Sequence, residues 1–149
     1  MGPEGRFTPL AALPEAARVV VEVPHGGHIK RAADGSVDYV SPLPSPFNYG
    51  SVPARPSADG EPVDALILGA PLPAGHAADW PVHGVVDFED EGLPDEKWIC
   101  GARPPSQDDL ERIHRFFTRY ARLKGVWARL RGQGPVRFAG VRLRRDPAR

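Results

Sequence analysis

Runs of apolar, β-branched residues recur along this chain between clusters of proline and glycine, and their spacing is that of strands. Residues 17–23 (ARVVVEV) form a continuous run ended by Pro24, which predicts a buried strand with one carboxylate, Glu22, near its carboxyl end. Residues 28–31 predict a second strand, and the hairpin signal Asp34-Gly35 turns the chain into a third over 37–40. Residues 41–56 hold five prolines and the tripeptide Asn48-Tyr49-Gly50, the composition of an ordered but irregular connection. Strand-like runs return at 63–68, 82–88 and 97–100, separated by Pro/Gly-rich turns, as in a small barrel.

One segment has a helical period instead. Ser106 is placed to cap it, with Asp109 completing a capping box, Asp108 and Asp109 suiting its positive end, and Gly125 marking the stop. Leu110, Ile113, Phe116, Phe117, Tyr120 and Leu123 share a face expected to pack on the barrel. Residues 135–143 alternate imperfectly around Gly140, compatible with a last strand or edge segment. No repeat or linker divides the chain. The expected organisation is a single domain over 1–149: an amino-terminal arm (1–16), a barrel core (17–104), a helix (106–124) and a terminal strand or tail (135–149). The class is α+β, mainly β, a closed β core with one or two carboxyl-terminal helices.

At 149 residues the chain buries roughly two thirds of its unfolded surface and needs no disulfide or structural zinc. Its lone cysteine, Cys100, excludes an intrachain disulfide and any multi-cysteine metal framework, and the expected compartment is the cytoplasm. No apolar run approaches the roughly 20 residues of a membrane span, and the amino terminus, with Pro3, Glu4 and Pro14, lacks the features of a signal peptide. Acids and bases number 19 each, which argues against global attraction to nucleic acid or membrane. The signs are nonetheless polarised: acids crowd residues 59–96 and arginines 112–149. Without interleaved aromatics the basic stretch reads as a solvated or assembly-facing surface.

The acids carry the candidate chemistry. In Asp59-Gly60-Glu61-Pro62-Val63-Asp64 three carboxylates bunch around a turn at a strand entrance, costly crowding that cations relieve. A second cluster, VVDFEDEGLPDEK, brings Asp87, Glu89, Asp90, Glu91, Asp95 and Glu96 around a turn just before Lys97. Taken alone it reads as a solvated loop. If strands bring Asp59, Glu61 and Asp64 beside Asp90 and Asp95, oxygen-only donors point to Mg²⁺ or Mn²⁺ rather than zinc. His25 and His28 in HGGH fit a loop better than a metal pair, Trp80, Trp98 and Trp127 fit core or interface anchors, and Cys100 has no partner pattern for a nucleophile.

The ordered segments VVVEVP, HIK, NYG, DGEPVD, DEGLPDEK and FFTRY, over roughly residues 17–125, resemble the barrel-type soluble inorganic pyrophosphatases. DGEPVD matches that family's D-G/S-D-P-x-D with Glu61 at an aspartate position, and Asp90, Asp95 and Lys97 match its second acidic motif. The resemblance implies an OB-like five-stranded barrel and Mg²⁺-dependent hydrolysis of diphosphate. It implies Asp59, Asp64 and Asp95 as the tightest metal site, Asp90 and Glu22 for further ions, Glu61 as the group that takes a proton from or orients the attacking water, and Lys30, Tyr49, Lys97 and Tyr120 as grips on phosphate. It also implies a homo-oligomer. The chain departs from the family at Ala32, usually a glutamate, at Tyr39 after Asp38, usually an arginine, at Ser45, usually a tyrosine, and at Ala121, usually a lysine. These changes thin the cationic pocket for one phosphate, which Arg119 or Arg122 would have to restore from neighbouring helix positions. A hydrolase of another phosphoanhydride and a pyrophosphatase-like binding or assembly protein stay open beside the diphosphatase, and retention of costly carboxylates favours catalysis.

Overall fold

The computed structural model describes residues 7–31, 36–40, 44–58 and 60–144, and of residues 30, 31 and 38–40 the backbone only. The elements are β1 (Ala16–Val23), β2 (Ile29–Arg31), β3 (Val37–Val40), β4 (Asn48–Pro56), β5 (Pro62–Ile67), β6 (Ala77–Asp90), β7 (Leu93–Pro94), β8 (Lys97–Cys100), α1 (Gln107–Leu130) and β9 (Val136–Leu143). Five strands close a barrel in the order β1-β4-β5-β8-β6, with β6 returning to β1. Every pairing in that ring is antiparallel except β5 with β8. β7 and β9 extend β6, and β2 and β3 form a separate ribbon. The Asp34-Gly35 turn between them lies outside the described residues.

Strand alternation sorts the apolar residues into two cores. Val19, Val21, Val52, Ala65, Ile67, Val85 and Trp98 fill the barrel. Their strand neighbours Leu66, Val86, Phe88 and Ile99 face outward and are sealed by Phe47, Ile113 and Phe117. Where both faces are covered, at residues 65–67, 85–86 and 98–100, the sequence reads as short continuous apolar runs rather than alternating ones. Ahead of β1, Phe7 and Leu13 are buried, and Thr8 donates its N–H and its hydroxyl to Glu96, both at 2.9 Å.

Two expectations are corrected. Residues 48–56, expected within an irregular connection, form the nine-residue strand β4 in the barrel wall between β1 and β5. Its prolines are tolerated because β1 pairs only with 49–51 and the β5 ladder shifts register between Val52 and Pro56, so the missing N–H of Pro53 breaks no regular ladder. The amide of Asn48 accepts from the N–H groups of His25 (3.0 Å) and Leu72 (2.8 Å) and donates to the carbonyls of Ile67 (3.2 Å) and Ala70 (3.0 Å). That satisfies a fully buried side chain and ties two loops to the start of β4.

The helix does not stop at Gly125 but runs to Leu130. A mid-helix glycine costs only about 1 kcal/mol, too little to end a helix packed on the outer core. The stop is Gly132, at φ +67°, where the Gly132 N–H reaches the Arg129 carbonyl (3.2 Å) and the Gln133 N–H the Ala128 carbonyl (2.8 Å). At the other end the capping box is present, Ser106 Oγ accepting from the Asp109 N–H at 3.1 Å and the Asp109 carboxylate from the Ser106 N–H at 2.9 Å. The predicted apolar face holds at Ile113, Phe116, Phe117 and Tyr120, whereas Leu123 is exposed.

Gly50 shows how closely β4 lies against β1: a Cβ there would meet the Val20 carbonyl oxygen at 1.9 Å. Gly50→Ala should lower stability by about 3 kcal/mol in chemical denaturation, and an unchanged unfolding midpoint would contradict the close β1–β4 approach.

Candidate functional site

The outward face that carries the second core ends in a group of charges. Parallel pairing of β5 and β8 sets Asp64 opposite Lys97, and β4 brings Tyr49 onto the same face. Lys97 Nζ lies 2.8 Å from Asp64 Oδ2 and 2.9 Å from an Asp95 carboxylate oxygen, and its side chain is 2% exposed. The Tyr49 hydroxyl donates to the same Asp64 oxygen at 2.8 Å. Asp95 follows β7 and is pinned by its N–H, which donates to the Phe88 carbonyl at 2.7 Å. The ring of Phe88 lies under the Lys97 ammonium, 5.4 Å from its centroid. Tyr120 comes from α1 and packs on Phe88 with centroids 5.5 Å apart.

Asp90, at the end of β6, accepts from Lys124 of α1, and the Lys124 ammonium lies 5.4 Å from the centre of the Tyr120 ring. The structure therefore gathers Asp64, Asp95, Asp90, Lys97, Tyr49 and Tyr120 in one place. Glu22, half-buried, occupies the β1 bulge between Val21 and Val23, the latter paired with Tyr49. The bulge explains a carboxylate in an apolar strand, because it turns one residue out of the alternation. Glu61 is exposed on the turn into β5, a turn closed by the Ser57 N–H on the Glu61 carbonyl at 2.7 Å. Asp59 and Ala32 lie outside the described residues, as do the side chains of Lys30 and Tyr39.

The second acidic cluster is not one site. Alternation along β6 sends Asp90 toward the helix, while Asp87 and Glu89 are buried against β9. There Asp87 accepts from Arg142 Nε at 2.6 Å and from its Nη2 at 2.9 Å, and Glu89 from Arg137 Nε at 3.1 Å. Arg144 donates to the Leu13 carbonyl at 2.5 Å. These arginines of the basic stretch, expected on a solvated or assembly-facing surface, instead fold back on the chain, Arg137 and Arg142 on acids of β6 and Arg144 on a carbonyl ahead of β1.

Lys124 escaped the sequence reading, which looked to Arg119 and Arg122 beside Ala121. Both arginines are exposed, and the helix cation that reaches the acids lies one turn beyond Tyr120. That four-residue spacing was the available signal. Ala121 packs against the outer core, and Ser45 is buried, donating to the Phe47 carbonyl. His25 Nδ1 contacts the Gly69 carbonyl at 3.0 Å, His83 Nε2 the Gly101 carbonyl at 2.8 Å, and His114 meets the ring of Phe138 edge-on. Burial pushes the Cys100 thiol up to about 12, so it is no nucleophile at neutral pH.

Among the described residues no three ligating side chains already converge on one point. The donors present are all oxygen, and two of them, on Asp64 and Asp95, close on a single positive charge, the Lys97 ammonium. That is the donor chemistry and electrostatic demand a hard divalent cation meets.

The model of the family described as inorganic pyrophosphatase matches residues 19–144. The chain is 32% identical to an inorganic pyrophosphatase of Gluconobacter oxydans, with 91% of each chain covered. It is also 32% identical to one of Agrobacterium fabrum, with 85% of each covered. The solved inorganic pyrophosphatase of Thermus thermophilus shares the fold with a TM-score of 0.69 at 26% identity, over 93% of this chain and 89% of that one. For the Helicobacter pylori inorganic pyrophosphatase the TM-score is 0.68 at 27% identity, over 87% and 85%.

Burial disfavours the Lys97 charge, but Asp64 and then Asp95 outweigh it and hold the ammonium above the usual lysine pKa of 10.5. Burial first, and then the Asp64 charge, keep the Tyr49 phenol well above its usual 10.0. Both groups keep protons that the unfolded chain releases, so their contribution is whole below about pH 10 and is lost as pH rises further. Thermal unfolding should shift downward above about pH 10, less steeply in Tyr49→Phe than in the parent chain. Equal slopes in the two proteins would contradict the half-buried, carboxylate-bound phenol.

Proposed function

The chain belongs to the inorganic pyrophosphatase family, and on that premise we propose that it hydrolyses diphosphate to two phosphates with Mg²⁺, at the charge cluster where α1 meets the barrel. The observation that carries the reading is the pair of carboxylates, Asp64 and Asp95, held on one buried ammonium beside two tyrosines. A divalent metal comes with the family, and Mg²⁺ is the ion that oxygen-only donors favour. When bound, the cation neutralises diphosphate oxygens and lowers the pKa of an attacking water.

This chain's residues then have separable tasks. Asp59, Asp64 and Asp95 form the tightest cation site, and Asp90 and Glu22 hold further ions. Glu61 takes the proton of the water as its oxygen adds to one phosphorus and the bridging oxygen leaves with the other phosphate. Lys97 and Lys30 offer ammonium groups to the phosphate oxygens, and Tyr49 and Tyr120 offer hydroxyls. The extra methylene of Glu61 displaces its carboxylate by about a bond length from where aspartate would hold it, a shift that slows catalysis. The place of action is the cytoplasm, and the active form is a homo-oligomer. Leu123, Val126, Trp127 and Leu130 line an exposed apolar stripe on the last turns of α1 that a second copy can cover.

Phosphate release should be fastest from diphosphate with Mg²⁺, slower from nucleotides and longer polyphosphates, and abolished in Asp64→Asn. Glu61→Gln should lower kcat by about 100-fold or more, the usual contribution of a positioned acid–base group. Release indifferent to Asp64→Asn, or preferring another phosphoanhydride, would overturn the assignment.

A further inference from the structure

The cluster holds two lysines in different circumstances. Lys97 is 2% exposed and fixed by two carboxylates, so moving it would strand a buried charge. Among the described residues Lys124 has one carboxylate partner, Asp90, and the two side chains are 39% and 29% exposed. Its flexible stem rises from the helix one turn after Tyr120, so hydroxyl and ammonium stand on the same helix face. Ala121 supplies no charge, and Arg119 and Arg122 are exposed. Among the described residues Lys124 is the helix cation that meets the acids.

Asp90 cannot give the same oxygen fully to both an ammonium and a divalent cation. Resting on the diphosphatase reading, we propose that Lys124 is a substrate-gripping residue with two seats: it rests on Asp90 in the metal-free protein, and a divalent cation at Asp90 displaces it toward the phosphate oxygens beside Tyr120. A lysine on α1, one turn beyond the usual place for the helix cation, thereby restores charge to the thinned phosphate pocket. It also orders the events, because the grip on diphosphate becomes available once the metal has taken Asp90. The two binding steps are then positively coupled through one side chain, and the coupling is reciprocal.

The test uses calorimetric titration of the full chain and of Lys124→Met and Lys124→Arg, with folding of each checked by thermal unfolding. Mn²⁺ is titrated alone, and methylenediphosphonate, which is not hydrolysed, is titrated at saturating Mg²⁺. Removing the competing ammonium should tighten Mn²⁺ binding several-fold in Lys124→Met while weakening methylenediphosphonate by about tenfold, the loss expected for one charge-assisted hydrogen bond. Lys124→Arg should keep most of the grip. The opposite signs mark the two-seat role, since a merely structural lysine would weaken both ligands or neither. Unchanged methylenediphosphonate affinity in Lys124→Met, with the parent chain still releasing phosphate from diphosphate, overturns the role of Lys124 alone. Absence of phosphate release by the parent chain overturns the diphosphatase reading and this inference together.

Discussion

Lys97 sits on β8 with its ammonium shared between Asp64 and Asp95, and the surrounding architecture is arranged to make that burial tolerable. Taking a charge out of water costs several kcal/mol, recovered only when geometry is good and every donor finds a partner. The β5–β8 pairing sets Asp64 opposite Lys97, a backbone bond to Phe88 fixes Asp95, and the Phe88 ring lies against the ammonium. Tyr49 adds a hydroxyl to the same Asp64 oxygen, which makes its phenol part of the same balance. The barrel is thus what brings acids from distant parts of the chain onto one charge.

The same alternation explains why so many carboxylates coexist in a chain with no net charge. Along β6 the acids divide between the two faces, Asp87 and Glu89 forming ion pairs with β9 while Asp90 joins the face that meets α1. A cluster that looks continuous in sequence divides between two faces because strands have a period of two. The basic stretch at the end of the chain belongs to this division, since it supplies the arginines that hold β9 on β6.

Much of this was legible in the residues. The run 97–100 forms β8 as read, the capping box starts α1, and Asp64 of the first acidic motif and Asp95 of the second both lie against Lys97. What was not legible has physical causes. β4 was hidden by its prolines, which local composition counts as loop but which sit where the ladder is already irregular. The end of α1 was misplaced because Gly125 and Gly132 look alike in sequence, while only the second adopts a positive φ. Lys124 was overlooked because reach across a helix turn depends on where the helix lies against β6, a tertiary fact that sequence spacing alone does not contain.

The central claim is that Lys97 and Asp64 are energetically one unit, and a double-mutant cycle measures this directly. Lys97→Met, Asp64→Asn and the double variant would be unfolded in denaturant with a chelator present. Lys97→Met alone should cost about 3 kcal/mol, because it leaves two half-buried carboxylates facing each other without their cation. The double variant should be less destabilised than the sum of the singles by about 2 kcal/mol. Costs that add to within about 0.5 kcal/mol would show that the two residues act independently, and would contradict the account.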